Sequence, residues 1–208
     1  MEAKIKKILS CRGKACIEDE RLKRAAVLIP LFKKDGEYHV LFTRRTEEVE
    51  HHKGQISFPG GRQDRKDKDS LTTALREARE EMGIQKKDVR ILGELDDICT
   101  VSDFCVSPFV ALIPHPYPFR VNSHEIEEVI EVPLSALLDK RIFSQEAQER
   151  NGEPLQVYFY RYKNHTIWGA TAKILKQLLD LLPEEDQKRL KKTGVKRRPG
   201  TNESHGIK

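Results

Sequence analysis

The stretch FPGGRQDRKDKDSLTTALREAREEMGI, residues 58–84, decides the fold. Apolar residues recur at helical spacing in its second half, at Leu71, Ala74, Leu75, Ala78 and Met82. This stripe predicts a helix with one face in the core. Gly83 follows directly and is a candidate residue for the C-terminal cap.

Three acidic residues mark the other face of the predicted helix. Glu77, Glu80 and Glu81 stand at positions i, i+3 and i+4, so their carboxylates share one side. Like charges at this spacing repel by roughly 0.2–0.5 kcal/mol per pair, so their crowding indicates a cationic ligand. Mg2+ is such a ligand, because proteins hold it with a few carboxylates and substrate phosphates.

The spacing of these residues resembles that of a known family. Gly61 followed by REAxEExGI at residues 76–84 resembles the Nudix box of the Nudix hydrolases. The segment between Gly61 and Arg76 is one residue longer than usual, and Asp67 or Asp69 stands where that box has a glutamate. The resemblance implies an α/β protein with the Nudix fold, a mixed β-sheet in an α/β/α sandwich.

The resemblance also implies a chemistry. A Nudix pyrophosphohydrolase acts on acid anhydrides and uses Mg2+ or Mn2+ to hydrolyse a nucleoside diphosphate linked to another group. The implied metal ligands are Glu77, Glu80 and Glu81, and the base is Glu80 or Glu77, with Glu125 as a candidate outside the box. Arg76 is expected to orient the carboxylates, since Glu80 lies four residues further on.

The segment before the helix contains the candidate substrate-binding residues. A buried strand over residues 25–32, a hairpin turn over residues 33–37 and a return strand over residues 38–44 are predicted. Two arginines at the end of that strand and a glycine-rich turn would bracket a phosphorylated ligand. The alternative is a surface loop with solvated arginines. The candidates are Arg44, Arg45, Phe58, Gly60 and Gly61.

The same segment is similar to the extra signature of the coenzyme A pyrophosphatase branch. Thr43, Arg45, Gly54 and the FPGG motif match it, whereas Glu50 stands where the branch has an arginine. The implied substrate is coenzyme A or an acyl-CoA, cut to 3′,5′-ADP and 4′-phosphopantetheine. Because Glu50 reverses a charge, ADP-ribose, a dinucleotide or a nucleoside triphosphate stay open as substrates. A non-catalytic module that binds a nucleotide or RNA is the alternative from another class.

Two residues beyond the box have competing interpretations. Ser123 is a candidate N-terminal cap, so Glu125 is either a site acid or a first-turn acid favoured by the helix dipole. The single tryptophan, Trp168, is expected to pack in the core beside an apolar helix rather than to stack a base.

The composition indicates an ordinary globular protein. The 208 residues are 38% hydrophobic and 34% charged, and no apolar run approaches the ~18–20 residues of a membrane span. We expect a helical extension over residues 1–24, a Nudix domain over residues 25–182 and a basic, partly disordered tail over residues 183–208. The four cysteines form no Cys-x-x-Cys pair, so reduced thiols and a cytoplasmic location are expected.

The net charge of +5 is concentrated at the chain ends. Residues 187–208 carry eight Lys/Arg and one acidic residue, without interleaved aromatic residues that would stack bases. A solvated tail is therefore favoured, and nucleic acid and membrane are not expected as partners. The expected partner is a small nucleotide-type substrate, and the sequence is compatible with a homodimer.

Overall fold

The computed structural model describes residues 1–48, 53–150 and 152–195. The helices are α1 (Glu2–Cys11), α2 (Ser70–Met82), α3 (Leu134–Leu137), α4 (Gly169–Asp180) and α5 (Glu184–Val195). The strands are β1 (Lys23–Lys34), β2 (Glu37–Arg45), β3 (Ile56–Ser57), β4 (Gly60–Arg62), β5 (Arg90–Glu94), β6 (Ile98–Cys99), β7 (Phe104–Leu112), β8 (Ile126–Pro133), β9 (Phe143–Arg150), β10 (Glu153–Tyr162) and β11 (His165–Trp168). Glu50 and the tail from residue 196 onward lie outside the described residues.

Strands β1 to β8 form one mixed sheet. Its main path runs β3-β2-β1-β7-β5, while β4 pairs with β1, β6 with β7 and β8 with β2. Strands β1 and β7 are parallel, and the other pairings are antiparallel. The remaining strands form a small antiparallel sheet in the order β11-β10-β9.

Strand β1 is covered on both faces, which explains its nearly continuous apolar sequence. Ala26 and Leu28 pack in one cluster with the apolar stripe of α2. Ile29 and Leu31 belong to the cluster on the opposite face, together with residues of α1 and α4. A mixed sheet between helices is therefore present, and the predicted α/β architecture is confirmed.

The expected extension over residues 1–24 is helical only as far as Cys11. The N-terminal segment, residues 12–22, then runs beside the start of β6. The carboxylate of Asp97 holds it there by accepting from Lys14 Nζ at 2.9 Å and from the Ile17 N–H at 3.2 Å, and it also accepts from Ser107 Oγ of β7 at 2.7 Å. Burial alone would raise the pKa of Asp97, but these contacts outweigh it and lower the pKa.

Both ends of the described chain contribute to the core. Ile5 of α1 and Leu190 of α5 are buried in the same cluster. Lys4 Nζ lies 3.0 Å from the carboxylate of Asp186, which joins the two helices. Buried residues thus lie on both sides of the expected limits of the Nudix domain, residues 25 and 182. These limits stay predictions. Within the described ranges, no helix has the length and apolar character needed to cross a membrane.

Two local predictions are wrong. Ser123 caps no helix, because residues 123–125 form a turn and the chain continues into β8, which pairs with β2. Sheet pairing therefore overrides the local capping signal. Trp168 is 44% exposed rather than part of the core. It is the last residue of β11, where its neighbour Ile167 points inward and strand alternation turns Trp168 outward.

Candidate active site

Helix α2 is fixed at both ends. The carboxylate of Asp69 accepts the Thr72 N–H at 2.7 Å and caps the N-terminus. Gly83 ends the helix with a φ of 72°, and its N–H donates to the carbonyl of Arg79 at 2.9 Å. A Cβ on Gly83 would lie only 2.8 Å from Cβ of Arg120. The predicted glycine cap is therefore confirmed, by both its conformation and its packing.

The three carboxylates of α2 differ in their exposure. The side chain of Glu81 is 4% exposed, that of Glu77 is 16% exposed and that of Glu80 is 46% exposed. Burial raises the pKa of Glu77. Burial, followed by the charge of Glu77, raises the pKa of Glu81 to about 8. Burial, together with the neighbouring acidic groups, therefore disfavours the ionised forms of these two carboxylates.

The glycine turn before α2 closes tightly over these carboxylates. The N–H of Gly60 donates to Glu81 Oε2 at 3.3 Å. A Cβ on Gly61 would lie 2.6 Å from the carboxylate carbon of Glu77, so the Glu77 carboxylate would have to move. Pairing of β4 with β1 holds the turn in this position. A Cβ on Gly60 would lie 2.4 Å from the backbone carbonyl oxygen of Ala26, so this position requires a glycine, whereas a Cβ on Gly61 would displace the Glu77 carboxylate.

Asp67 is the acidic partner of Arg76. Nε and Nη2 of Arg76 lie 3.1 and 2.9 Å from the carboxylate oxygens of Asp67. Asp67 also accepts from Thr73 Oγ1 at 3.0 Å and from the Asp64 N–H at 2.9 Å. The Arg76 contact, with these bonds, lowers the pKa of Asp67 to about 2. Of the two acids that the sequence left open, Asp67 binds the arginine and Asp69 caps the helix.

Arg76 also contacts two of the helix carboxylates. Its Nη1 lies 2.7 Å from Glu77 Oε1 and 2.9 Å from Glu80 Oε2. With Asp67 holding the other side of the guanidinium, Arg76 links the loop before α2 to the acidic face. This arrangement agrees with the orienting role expected for it.

The two candidate arginines of β2 face different partners. Arg45 Nη1 lies 3.6 Å from Glu81 Oε1, and Arg45 Nε is buried without a hydrogen-bond partner among the described residues. Arg44 instead lies 3.0 Å from Glu128 and 3.3 Å from Glu127 of β8. Successive strand residues point to opposite faces, so only one of the two reaches the acidic face. The structure therefore brings Arg45 to the site and places Arg44 against β8.

Glu125 is joined to the end of α2 through Asn122. The N–H of Asn122 donates to the carbonyl of Glu81 at 2.9 Å, and its Nδ2 donates to Glu125 Oε1 at 3.0 Å. The charge of Glu125 contributes to the raised pKa values of Glu77 and Glu81, so it lies within electrostatic range of both. Sequence reasoning missed Asn122, because a lone asparagine in a loop has no spacing that marks it.

Phe58 is not available to contact a substrate, contrary to the prediction. Its side chain is 2% exposed, and its ring stacks on Phe42 with 4.8 Å between the centroids. Phe58 comes just before the glycine turn, so its burial anchors that turn to the core. The sequence did contain a signal for this core position, because a phenylalanine next to a strand is usually buried.

The donor set suits a divalent cation. Five carboxylates face three arginines: Asp67, Glu77, Glu80, Glu81 and Glu125 against Arg45, Arg76 and Arg79. Among the described residues, no three His, Cys, Asp or Glu side chains already converge as a metal-binding cluster. Arg76 instead pairs with two of the carboxylates. The unbalanced, partly buried oxygen donors are nevertheless those that Mg2+ or Mn2+ prefers.

Comparison with known proteins places this site in context. The family model described as NUDIX domain matches residues 22–150. A Photorhabdus laumondii protein named uncharacterized Nudix hydrolase NudL is 40% identical over 156 residues, which is 75% of this chain and 83% of that protein. The Yersinia pestis protein of the same name is 39% identical over 75% of this chain and 78% of its own length. A solved NUDIX hydrolase from Alicyclobacillus acidocaldarius aligns with a TM-score of 0.48 and 18% identity, over 80% of this chain and 96% of that chain.

Proposed function

The chain belongs to the NUDIX domain family, and from that premise we propose that this pyrophosphohydrolase cleaves coenzyme A or an acyl-CoA. The products would be 3′,5′-ADP and 4′-phosphopantetheine. Membership of the family, with relatives named Nudix hydrolase, supports the coarser activity, hydrolysis of a nucleoside diphosphate derivative. The choice of coenzyme A rests on the signature in β2 and the glycine turn.

The position of Arg45 is the observation that carries this choice. Arg45 belongs to the coenzyme A signature, and its guanidinium lies beside Glu81 with a buried Nε that no described residue binds. Two further signature residues lie in β2 and in the glycine turn. The Thr43 hydroxyl donates to the carbonyl of Ser57 at 3.3 Å, and the N–H of Gly60 donates to Glu81. Arg45 and Gly60 thus contact Glu81 of the acidic face, and Thr43 bonds the strand that precedes the glycine turn.

The acidic face of α2 would hold the metal ion. Glu77, Glu80 and Glu81 are the proposed ligands of Mg2+ or Mn2+. When bound, a divalent cation stabilises negative charge on phosphoryl oxygens and activates water. Asp67 and Arg76 would keep the carboxylates in place through the contacts described above.

The protein's own side chains would bind the substrate phosphate and remove the proton from the attacking water. Arg45 would bind a phosphate oxygen of the substrate, because a guanidinium offers several donors to one anion. A carboxylate near the attacking water must take its proton. We assign that role to Glu80 or Glu77, with Glu125 as the candidate from outside the helix. Gly60 and Gly61 would let the protein backbone of the turn lie close to the carboxylates of α2.

The experiment is hydrolysis of coenzyme A by the purified chain with Mg2+ or Mn2+, followed by identification of both products. Wild type should release 3′,5′-ADP and 4′-phosphopantetheine, and excess EDTA should abolish the reaction. The Glu80→Gln variant should fold normally, because Glu80 is half-exposed, but should lose at least about 100-fold in kcat. Metal-independent binding of coenzyme A without turnover would instead indicate a binding module and contradict the proposal.

A further inference from the structure

Cys99 and Cys105 face each other across the hairpin of β6 and β7. The N–H of Thr100 donates to the carbonyl of Phe104 at 2.9 Å, so that pair occupies a hydrogen-bonded position of the ladder. The adjacent pair, Cys99 and Cys105, is then a non-hydrogen-bonded one, with Cα atoms about 4.5 Å apart and side chains on the same face. Disulfides span Cα distances of about 4.4–6.8 Å, so the backbone already suits a bond between them.

The two thiols differ in access. Cys99 is exposed, whereas Cys105 is buried beneath the N-terminal segment. Cys105 Sγ lies 3.2 Å from Arg24 Nη1 and 3.9 Å from the carbonyl of Ile17. Burial raises the pKa of the Cys105 thiol, and the charge of Asp97 raises it further. An oxidant in solution therefore reaches Cys99 first, and Cys105 lies behind it as the second thiol.

We propose that Cys99 and Cys105 are a modification site, at which a peroxide produces a reversible intramolecular disulfide. In the first step the Cys99 thiolate attacks one peroxide oxygen, the O–O bond breaks, and a sulfenic acid and hydroxide form. In the second step Cys105 attacks Sγ of Cys99, the S–S bond forms, and the sulfenic oxygen leaves as hydroxide. The two protons of the thiols convert the hydroxides to water. Two thiols thus lose two electrons in total, and the peroxide gains them.

Arg24 favours the second step. Its guanidinium contacts Cys105 Sγ and partly offsets the rise in the Cys105 pKa that burial and Asp97 cause. Arg24 also connects the pair to the loop before α2. It is opposite Cys105 in the β1–β7 ladder, and its carbonyl accepts the Gln63 N–H at 2.9 Å in the loop that leads to Asp67. A small thiol reductant would restore both cysteines by thiol–disulfide exchange.

The other two cysteines provide matched controls. Cys16 is exposed and flanks β6, since the Asp97 N–H donates to the carbonyl of Ala15 at 3.0 Å. It is the competing partner for Cys99. Cys11, also exposed, is the last residue of α1 and has no place in the hairpin register. Substitution of Cys11 or Cys16 should leave the reaction unchanged.

The test treats the reduced full-length chain with hydrogen peroxide, then unfolds it and alkylates the remaining thiols. Trypsin leaves both cysteines in one peptide, residues 91–120, so a second protease that cuts before Asp103 is needed to separate them. We expect wild type to lose two of its four alkylatable thiols and the mass of two hydrogen atoms. The two peptides should be joined through Cys99 and Cys105 and released by dithiothreitol.

The variants separate the outcomes. Cys99→Ser changes an exposed residue and should abolish the cross-link without affecting the fold. Cys105→Ala should do the same and should leave a Cys99 sulfenic acid that a sulfenic-specific reagent traps. Cys11→Ser and Cys16→Ser should form the cross-link as wild type does. The proposal is overturned if wild-type Cys99 stays alkylatable, if the bond joins Cys16 to Cys99, or if only cross-links between two chains form.

Discussion

Replacing Asp67 by asparagine removes the charge that Arg76 faces while keeping the shape of the side chain. The side chain of Asp67 is 4% exposed and that of Arg76 is 21% exposed, so solvent screens their charges only partly. The fall of the Asp67 pKa from an ordinary 3.8 to about 2 corresponds to about 2 kcal/mol of stability at neutral pH. For a chain of this length, that loss lowers the Tm by about 4–8 °C.

The lowered pKa of Asp67 also determines how the stability loss in Asp67→Asn depends on pH. Because folding lowers the pKa of Asp67, its contribution is fully present above the unfolded value of 3.8 and is lost as the pH falls towards about 2. The difference in unfolding free energy between wild type and Asp67→Asn should therefore be constant from neutral pH to about pH 5 and should shrink below that. Thermal and urea unfolding, followed by circular dichroism across this range, measure it.

Asp64→Asn is the matched control, because Asp64 lies in the same loop with an exposed side chain. It makes the same change of charge and should shift the Tm by less than about 1 °C. Equal melting of the two variants at neutral pH would refute the assignment of Asp67 as the anchor of Arg76. So would a difference for Asp67→Asn that persists undiminished below pH 3.

Three further predictions concern turnover. Arg45→Ala should lower kcat/KM by about 10- to 100-fold, since it removes a charged contact, whereas Arg44→Ala should change it little because Arg44 pairs with β8; equal losses would contradict the assignment. Gly61→Ala should lower kcat/KM by up to about 100-fold, because its Cβ would displace the carboxylate of Glu77, and wild-type kinetics would show that the turn tolerates a side chain. Glu125→Gln tests the candidate from outside the helix: a base at Glu125 requires a loss of about 100-fold in kcat with an unchanged Tm, and an unchanged kcat leaves the role with Glu80 or Glu77.

The acidic helix could be predicted because its pattern is local. The apolar stripe, the three carboxylates and the terminal glycine lie within thirteen residues of one another, and each follows from helical spacing. The structure agrees on the helix from Ser70 to Met82 and on Gly83 as its cap. The β1–β2 hairpin was predictable for the same reason, since Asp35 and Gly36 supply the two positive φ values that its turn requires.

Features that depend on tertiary context could not be derived in this way. The spacing from the glycine turn left Asp67 and Asp69 equivalent, and only the path of the loop shows which of them reaches Arg76. The link from Asn122 to Glu125 likewise depends on how the loop before β8 meets the end of α2. The separation of Arg44 from Arg45 is different, because strand alternation alone would have predicted it.

The burial of Phe58 and the exposure of Trp168 show the limits of assigning aromatic residues by motif. Phe58 lies next to the glycines of the turn, yet its ring fills the core against Phe42. Trp168 lies beside an apolar helix, yet the alternation of β11 exposes it. In both cases the exposure of the aromatic side chain depends on the direction in which one strand or turn points it. The residue types nearby in the sequence do not determine it.

The most direct test of the proposed function is a comparison of kcat/KM on one preparation of the full chain with Mg2+ or Mn2+. The substrates are coenzyme A, ADP-ribose, NADH and a dinucleoside polyphosphate. Arg45 and its signature neighbours predict that coenzyme A is preferred by at least about tenfold over each of the others. Preference for another compound of this panel would contradict the coenzyme A assignment, while leaving the Nudix chemistry of the acidic helix in place.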